Sequence, residues 1–376
     1  MKKPGYFALF ILIILVIIYL ILPDYAQRAF IYLYANIDDY EIFENRKVVA
    51  SNPQPWQISE DYNQYEIGAA YLDTLRKYET TAFLVVKDTA LLYEQYYEGY
   101  SKEQISNSFS AAKSIVSLLI GIAIQEDYIK SIYQPVHDFL PNFDKGKKSS
   151  MIIRDLLTMS SGFKWNEGYS NPFSVTTQAY YGSDLQGLIK DLKMADNPGV
   201  SFSYKSIDTQ VLASILEIAT GQSISEYATN RLWRKIGAEQ HALWSLDKAG
   251  GTEKAFCCFN STARDFARIG QLVLNEGRWN DGRQVVHPDY VKMATTPAGY
   301  SDPNAAAGFY GYQWWIIDYN EKKIPYARGI LGQYIFILKD KNAVVVRLGK
   351  KRSKVYRNQH PAEVYSYLAA AYELLK

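Results

Sequence analysis

The sequence contains few of the residues on which metal sites and disulfide frameworks depend. Its 376 residues include 2 cysteines and 4 histidines. The histidines lie far apart, without an H-E-x-x-H or similar spacing, so we expect no metal and no cofactor. The cysteines, Cys257 and Cys258, are adjacent, and a bridge between neighbouring residues strains the backbone. We therefore interpret them as two buried thiols, with a vicinal disulfide or a reactive thiol as alternatives.

The sequence also lacks a strong net charge. It has 41 basic and 39 acidic residues, a formal charge of +2, and the two signs are interspersed. Without a basic stripe or zinc-finger spacing, nucleic acid is not an expected partner. No Gly-x-Ser-x-Gly motif indicates an α/β-hydrolase, and Gly146-Lys-Lys-Ser149 lacks the earlier glycine of a phosphate loop. With 48% hydrophobic and 21% charged residues, the chain is predicted to be globular.

A single long apolar run stands at the N-terminus. Lys2 and Lys3 precede the run, which extends from Tyr6 to Leu22 and ends before Pro23. Its length falls within the range of about 17–25 residues that crosses a bilayer, and the following residues form a poor signal-peptidase site. We predict that residues 1–23 are an uncleaved anchor, with a cleaved signal peptide as the alternative. By the positive-inside rule the N-terminus would be cytoplasmic and the single-pass protein's main domain extracytoplasmic, either periplasmic or at the cell surface.

The remainder is predicted to hold a lead-in and one domain. Residues 24–62 show no sustained periodicity and are interpreted as a stalk, which leaves residues 63–376 as the domain. Strand patterns occur at both ends of that domain, at 81–88, 90–98, 312–317, 333–338 and 343–348. Helical patterns occur at 114–125, 152–159, 210–219, 261–274 and 361–375. We predict an α+β fold with a central antiparallel sheet, flanking helices and an inserted all-helical subdomain at about 129–304, with a cleft at the junction.

A hydroxyl and an amine share one helix face at Ser110 and Lys113. Their i, i+3 spacing lets the amine accept the hydroxyl proton, and the nearby helix N-terminus favours developing negative charge. Partial burial would lower the pKa of the lysine toward that of a useful base. The same Ser-x-x-Lys spacing begins at Ser161 and Ser245. Because a helix cap beside a solvated charge would also explain the pair, spacing alone does not decide its role.

Four later segments occur in a characteristic order with Ser110-Ala-Ala-Lys113. They are Ile153-Arg-Asp-Leu-Leu-Thr-Met-Ser-Ser-Gly162, Pro198-Gly-Val-Ser-Phe-Ser-Tyr204, Ser261-Thr-Ala-Arg-Asp-Phe-Ala-Arg-Ile-Gly270 and Gly329-Ile-Leu-Gly-Gln333. Together they resemble the serine beta-lactamase and penicillin-binding protein superfamily, in particular its class C-like branch of esterases and 6-aminohexanoate-dimer hydrolases. The resemblance covers the chain from about Thr81 to its end and implies a beta-lactamase-like fold.

The resemblance also implies roles for individual residues. Ser110 would be the nucleophile and Lys113 its base, and Tyr204 would help to move the proton to the leaving group. Ser206 stands where the superfamily commonly has asparagine. The backbone amides of Ser110 and Gln333 would form the oxyanion hole.

The third motif departs from the lactamase pattern. Its positions are Ile330, Leu331 and Gly332, where lactamases have lysine or histidine, a small residue and glycine. A cationic handle for a substrate carboxylate is therefore missing, which disfavours lactamase or carboxypeptidase activity. Arg328 lies nearby and is interpreted as a surface charge, with partial compensation as the alternative. Ile330 and Gly332 remain candidate substrate contacts.

A loop after the first of the four later segments supplies further candidate contacts, namely Trp165, Glu167 and Tyr169. The expected function is hydrolysis of a small-molecule ester or amide through a Ser110 acyl-enzyme. A peptidoglycan D,D-peptidase or beta-lactamase is one alternative, and a non-catalytic ligand-binding module on the same fold is another. The sequence leaves the oligomeric state open.

Overall fold

A computed structural model describes residues 4–300 and 308–376. Within these ranges the helices are α1 (Pro4–Ile21), α2 (Asp24–Tyr32), α3 (Ala69–Lys77), α4 (Ala112–Gln125), α5 (Ile153–Leu157), α6 (Val175–Tyr181), α7 (Leu185–Lys190), α8 (Ser206–Thr220), α9 (Ile224–Ala228), α10 (Ala263–Leu274), α11 (Pro288–Ala294) and α12 (Val364–Leu374). The strands are β1 (Asn45–Val48), β2 (Gln57–Ile58), β3 (Thr80–Lys87), β4 (Ala90–Tyr96), β5 (Ser106–Asn107), β6 (Ala242–Ser245), β7 (Phe259–Ser261), β8 (Trp315–Tyr319), β9 (Lys322–Gly329), β10 (Gln333–Leu338), β11 (Ala343–Gly349), β12 (Tyr356–Arg357) and β13 (His360–Pro361).

The main sheet joins strands from both ends of the domain, as predicted. Its order is β2-β4-β3-β11-β10-β9-β8 over the described ranges, antiparallel except that the short β2 runs parallel to β4. The central strands are buried on both faces, which explains why they appear in the sequence as continuous apolar runs. Strand β9, which the sequence analysis did not identify, lies between β8 and β10.

Helices cover the two faces of this sheet. On one face α10 packs closely, because a Cβ at Gly270 would lie 2.4 Å from a methyl carbon of Val344. On the other face Tyr367 and Leu368 of α12 share a core with Phe83. Helix α4 is buried on all sides from Ala112 to Ala123, as its uniformly apolar sequence predicts. The predicted α+β architecture, an antiparallel sheet flanked by helices, is therefore confirmed.

The inserted segment is not all-helical, which corrects the prediction. It contributes β6 and β7, which join β1 and β5 in a second sheet of order β1-β6-β7-β5. These strands are only four and three residues long, too short to produce a clear alternating pattern in the sequence. The upper limit proposed for the segment, Asn304, lies outside the described residues.

The predicted membrane anchor is wrong. The apolar run forms α1, but no helix in residues 4–300 or 308–376 is long and apolar enough to cross a membrane. Helix α1 ends at Ile21 after 18 residues, and Pro23 precedes the separate helix α2. The prediction of a single-pass protein with a membrane partner and an extracytoplasmic domain is withdrawn with the anchor; Lys2 and Lys3 lie outside the described residues.

Residues 24–62 contain α2, β1 and β2 and make specific contacts. Arg28 of α2 donates hydrogen bonds to the carbonyl oxygens of Tyr181 (3.3 Å) and Ile42 (3.0 Å). Tyr32 stacks on Tyr181 with ring centroids 6.0 Å apart. Helix α2 thus packs beside α6, at the edge of the cleft described below.

Candidate active site

Ser110 lies in a 3-10 turn, Phe109–Ala111, between β5 and α4. Phe109 has φ of 45°, a left-handed conformation that costs a bulky residue roughly 1–3 kcal/mol. The Asn107 side-chain oxygen holds this turn by accepting a hydrogen bond from the Phe109 amide (2.8 Å). The result is a partly exposed serine at the start of a buried helix.

Lys113 points from α4 toward this serine. Its ammonium nitrogen Nζ lies 3.1 Å from Ser110 Oγ, 3.2 Å from Ser206 Oγ and 2.6 Å from the carbonyl oxygen of Phe256. The side chain is buried, and burial lowers the pKa of Lys113 to about 7, although the negative charges of Glu167 and Asp208 act in the opposite direction. A substantial fraction of the amine is therefore uncharged near neutral pH and can accept a proton from Ser110.

Tyr204 lies next to the same lysine. Lys113 Nζ is 5.3 Å from the centroid of the Tyr204 ring. Burial, followed by the charge of Glu167, raises the pKa of Tyr204, while contact with the Ser110 hydroxyl opposes this rise. Tyr204 therefore stays protonated at neutral pH and can donate a proton beside Ser110.

The loop candidates surround Ser206. Glu167 accepts hydrogen bonds from the Ser206 amide (2.8 Å) and from the Ser206 hydroxyl. It also accepts from Trp165 Nε1 (2.8 Å) and from the Tyr169 hydroxyl (2.6 Å). Of these four side chains, Ser206 and Tyr169 line the cleft. Glu167 is occupied by protein donors, and it holds the serine that contacts Lys113.

The third motif lies against the turn that carries Ser110. A Cβ at Gly329 would lie 2.1 Å from the carbonyl oxygen of Ser108, so only glycine fits where the end of β9 approaches the Ser110 turn. Gln333 begins β10 after the three-residue turn Ile330–Gly332. Its side-chain Nε2 donates a hydrogen bond to the Gly349 carbonyl (2.7 Å), and its Oε1 accepts one from the Gly349 amide (3.2 Å). This arrangement brings β10 beside the turn that carries Ser110.

A buried arginine holds the loop of the third motif. Arg347 donates hydrogen bonds to the carbonyl oxygens of Leu331 (3.2 Å), Gly332 (2.8 Å) and Lys351 (3.2 Å). Leu331 has φ of 61° and Gly332 has φ of 89°, and the Arg347 bonds stabilise this conformation. Ile330 lines the cleft, whereas Gly332 is buried against Arg347.

The cleft at Ser110 has a volume of about 680 Å³. Much of its wall is aromatic or aliphatic, from Phe109, Tyr180, Tyr181, Phe256, Ile330 and Leu331. Helix α2 and the residues after it contribute Ala29, Leu33 and Tyr34. A substrate with an apolar portion therefore fits beside the nucleophile.

Three features of this site were not found by sequence reasoning. The Phe256 carbonyl cannot be read from a side-chain pattern, and α2 has no motif. Arg347 did leave a signal, since it interrupts the apolar run Val344-Val-Val-Arg-Leu. The interpretation of two free thiols is also corrected, because Cys257 and Cys258 form a disulfide next to Phe256. Cys258 accommodates it with a left-handed φ of 66°, a conformation that spacing alone does not reveal.

The chain is similar to known proteins over most of its length. The model of the beta-lactamase family matches residues 69–369. The 6-aminohexanoate-dimer hydrolase of Paenarthrobacter ureafaciens is 28% identical over 302 residues, which cover 75% of each chain.

Solved structures show the same fold. A Bacillus anthracis protein provisionally described as a 6-aminohexanoate-dimer hydrolase has a TM-score of 0.75 at 24% identity, covering 90% of this chain and 91% of the other. A family VIII carboxylesterase has a TM-score of 0.62 at 12% identity, covering 82% and 99%. At these identities the two structures are evidence of fold alone. Since the family model spans more than half of the sequence, the chain belongs to the beta-lactamase family.

Proposed function

We propose that Ser110 is the nucleophile of this serine hydrolase and that its substrate is an ester or an amide. The observation that carries the proposal is the 3.1 Å contact between Lys113 Nζ and Ser110 Oγ, made by a buried lysine whose pKa is about 7. Such a lysine is a base of suitable strength held within reach of the hydroxyl.

In the first half-reaction Ser110 Oγ bonds to the substrate carbonyl carbon as its proton passes to Lys113 Nζ. The negative charge that forms on the carbonyl oxygen is held by the amides of Ser110 and Gln333. The bond to the leaving group then breaks, and the leaving group takes a proton from the Lys113 and Tyr204 pair.

In the second half-reaction water attacks the acyl carbon. Its proton passes to the same pair as the new bond forms, and the bond between the acyl carbon and Ser110 Oγ then breaks. Ser110 recovers its proton and the acid is released, so the enzyme is regenerated without a net change in its protons.

The substrate class is supported by the relative from Paenarthrobacter ureafaciens, which is named as a 6-aminohexanoate-dimer hydrolase. The alternative function, a D,D-peptidase or beta-lactamase, is disfavoured because this chain has Ile330 where lactamases have a lysine or histidine. Labelling with a fluorescent penicillin separates these readings, since we expect no stable adduct. Saturable ligand binding without turnover on an ester and amide panel would favour the non-catalytic module.

The test of the nucleophile is intact mass after treatment with a fluorophosphonate probe. We expect one adduct on the wild type and on Ser170→Ala, which removes another hydroxyl from the cleft wall. We expect none on Ser110→Ala. An adduct that persists in Ser110→Ala, or none on folded wild type, would reject the proposal.

A further inference from the structure

The charged side chains that line the described part of the cleft are all cationic. They are Lys77, Lys351, Arg352 and Lys354. Lys351 is already paired with Glu79. Arg352 and Lys354 form no ion pair with any residue in 4–300 or 308–376. The cleft, whose wall is largely apolar, therefore carries uncompensated positive charge.

Arg352 is the best placed of these cations. It is half-buried, whereas Lys354 is exposed. Its backbone segment is fixed on one side by the bond from Arg347 to the Lys351 carbonyl (3.2 Å) and on the other by the bond from the Val355 amide to Ser353 Oγ (3.0 Å). A guanidinium on an ordered segment loses less entropy on binding than a mobile lysine does.

The charge of Arg352 reaches the reacting groups. Burial raises the pKa of Tyr204, and Arg352 is one of the charges that act in the opposite direction. Tyr169 also lines the cleft, and the charge of Arg352 likewise opposes the rise in its pKa. Arg352 and Ser110 line the same cleft of about 680 Å³, so one small molecule can contact both.

The other nearby arginine is already engaged. The guanidinium carbon of Arg328 lies 3.1 Å from the centroid of the Trp315 ring, and Nη1 donates a hydrogen bond to the Gln359 carbonyl (3.0 Å). The guanidinium carbon of Arg352 lies 6.0 Å from the centroid of the Tyr356 ring, which is a long aromatic contact. Within the described ranges its five N–H donors have no protein acceptor. Of the two, Arg352 is the one available to a ligand.

We propose that Arg352 binds a carboxylate of the substrate, so that the preferred esters and amides are anionic, with an apolar chain between the carboxylate and the scissile bond. This inference rests on the proposed hydrolase function. It moves the carboxylate anchor from the third motif, where Ile330 stands, to the segment after β11. Guanidinium is suited to this task because it pairs with carboxylate through two parallel hydrogen bonds.

The test compares the 4-nitrophenyl half-ester of adipic acid with the same ester capped by a methyl group, which removes the charge and little else. The readout is the ratio of kcat/KM for the half-ester to that for the capped ester, with Ser110→Ala as the background. We expect a wild-type ratio of about 10, the size expected for one partly exposed charge-assisted hydrogen bond. The ratio should fall toward 1 in Arg352→Gln, recover partly in Arg352→Lys and decrease at high salt.

Arg357→Gln is the matched control, because Arg357 is an exposed arginine five residues away that does not line the cleft in the described residues. Its ratio should equal that of the wild type. A wild-type ratio near 1, or an unchanged ratio in Arg352→Gln, would overturn the inference and leave the hydrolase proposal standing.

A second readout applies if turnover of these esters is too slow to measure. We then expect 4-phenylbutyrate to slow fluorophosphonate labelling of Ser110 more than neutral 4-phenylbutanamide does, in the wild type but not in Arg352→Gln. Equal protection by the two compounds would overturn the inference. Failure of both labelling and hydrolysis would instead reject the hydrolase proposal, and the inference with it.

Discussion

Two buried lysines in this protein share a lowered pKa and differ in their neighbours. Lys113 and Lys254 are at most 1% exposed, and burial lowers the pKa of each to about 7. Lys113 Nζ contacts Ser110 Oγ at the cleft, whereas Lys254 Nζ donates to the Leu246 carbonyl (2.5 Å) and lies 4.3 Å from the centroid of the Phe43 ring. Lys254 is not among the described residues that line the cleft.

The comparison teaches that a lowered pKa does not by itself make a catalytic base. Burial is the largest cause of the lowered pKa at both positions, so the lowered pKa indicates burial and not catalysis. What differs is a nucleophile within hydrogen-bonding distance and a cavity that admits substrate. Lys254 therefore serves as an internal control for Lys113.

The largest expected effect comes from removing each amine in turn. Methionine keeps most of the side-chain volume but cannot accept a proton. We expect Lys113→Met to lower kcat/KM for a 4-nitrophenyl ester by about 10³-fold. Lys254→Met should stay within about threefold of the wild type in the same steady-state assay. Equal losses in the two variants would contradict the different roles assigned to Lys113 and Lys254.

Tyr204 supplies a second proton-transfer group that Lys254 lacks. We expect Tyr204→Phe to lower kcat by about 10²-fold, within the range typical of general acid–base catalysis. The loss should be larger for an amide than for a 4-nitrophenyl ester, since an amine leaving group needs a proton. Tyr310→Phe is the control, because that ring packs against Tyr204 with centroids 6.3 Å apart. Equal losses on both substrates would exclude the proposed role.

Glu167 affects Lys113 through both charge and position. We expect Glu167→Gln to lower kcat about tenfold, because Ser206 loses its charged partner. The negative charge of Glu167 raises the pKa of Lys113, so its removal should move the acid limb of the pH profile to lower pH. Asp247 plays the corresponding electrostatic part at Lys254. Asp247→Asn should therefore leave the acid limb in place, and a shift of equal size there would contradict this account.

The last prediction concerns stability and not activity. The folded-state pKa of Lys254 is about 7, below the unfolded value of about 10.4, so between these pH values the unfolded chain binds more protons. The free energy of unfolding therefore rises with pH across this window, by up to about 1.4 kcal/mol per pH unit for one such group. Lys254→Met should show a shallower rise than the wild type in urea denaturation at pH 7, 8.5 and 10. Parallel curves would show that Lys254 does not titrate as described.

Local features of the sequence predicted much of the fold. The predicted strand at 333–338 coincides with β10, and the uniformly apolar helix appears as α4. The helix predicted at 261–274 appears as α10, and Thr262 caps it by accepting a hydrogen bond from the Asp265 amide (3.2 Å). The Asp265 carboxylate, however, binds Arg268 (3.0 Å) and the Glu239 amide (2.7 Å). The local sequence pattern therefore predicted where the helix begins, whereas the partners of the Asp265 carboxylate are determined by tertiary contacts.

The candidate site was less accessible to sequence reasoning because its support comes from distant backbone and loop atoms. The Phe256 carbonyl lies 143 positions from Lys113 and carries no side-chain signature. The direction of Glu167 depends on how its loop folds over the Ser206 amide. The N-terminal run was misread because its apolar composition matched a membrane span, whereas no helix in residues 4–300 or 308–376 is long and apolar enough to cross a membrane.

The rate of fluorophosphonate labelling as a function of pH tests most directly whether Lys113 activates Ser110. For the wild type we predict a rate that rises with pH and levels off, with a midpoint near 7 where Lys113 loses its proton. Lys254→Met should retain this curve, and Lys113→Met should label slowly without the limb near 7. A limb that survives in Lys113→Met, or one that disappears in Lys254→Met, would contradict the central claim.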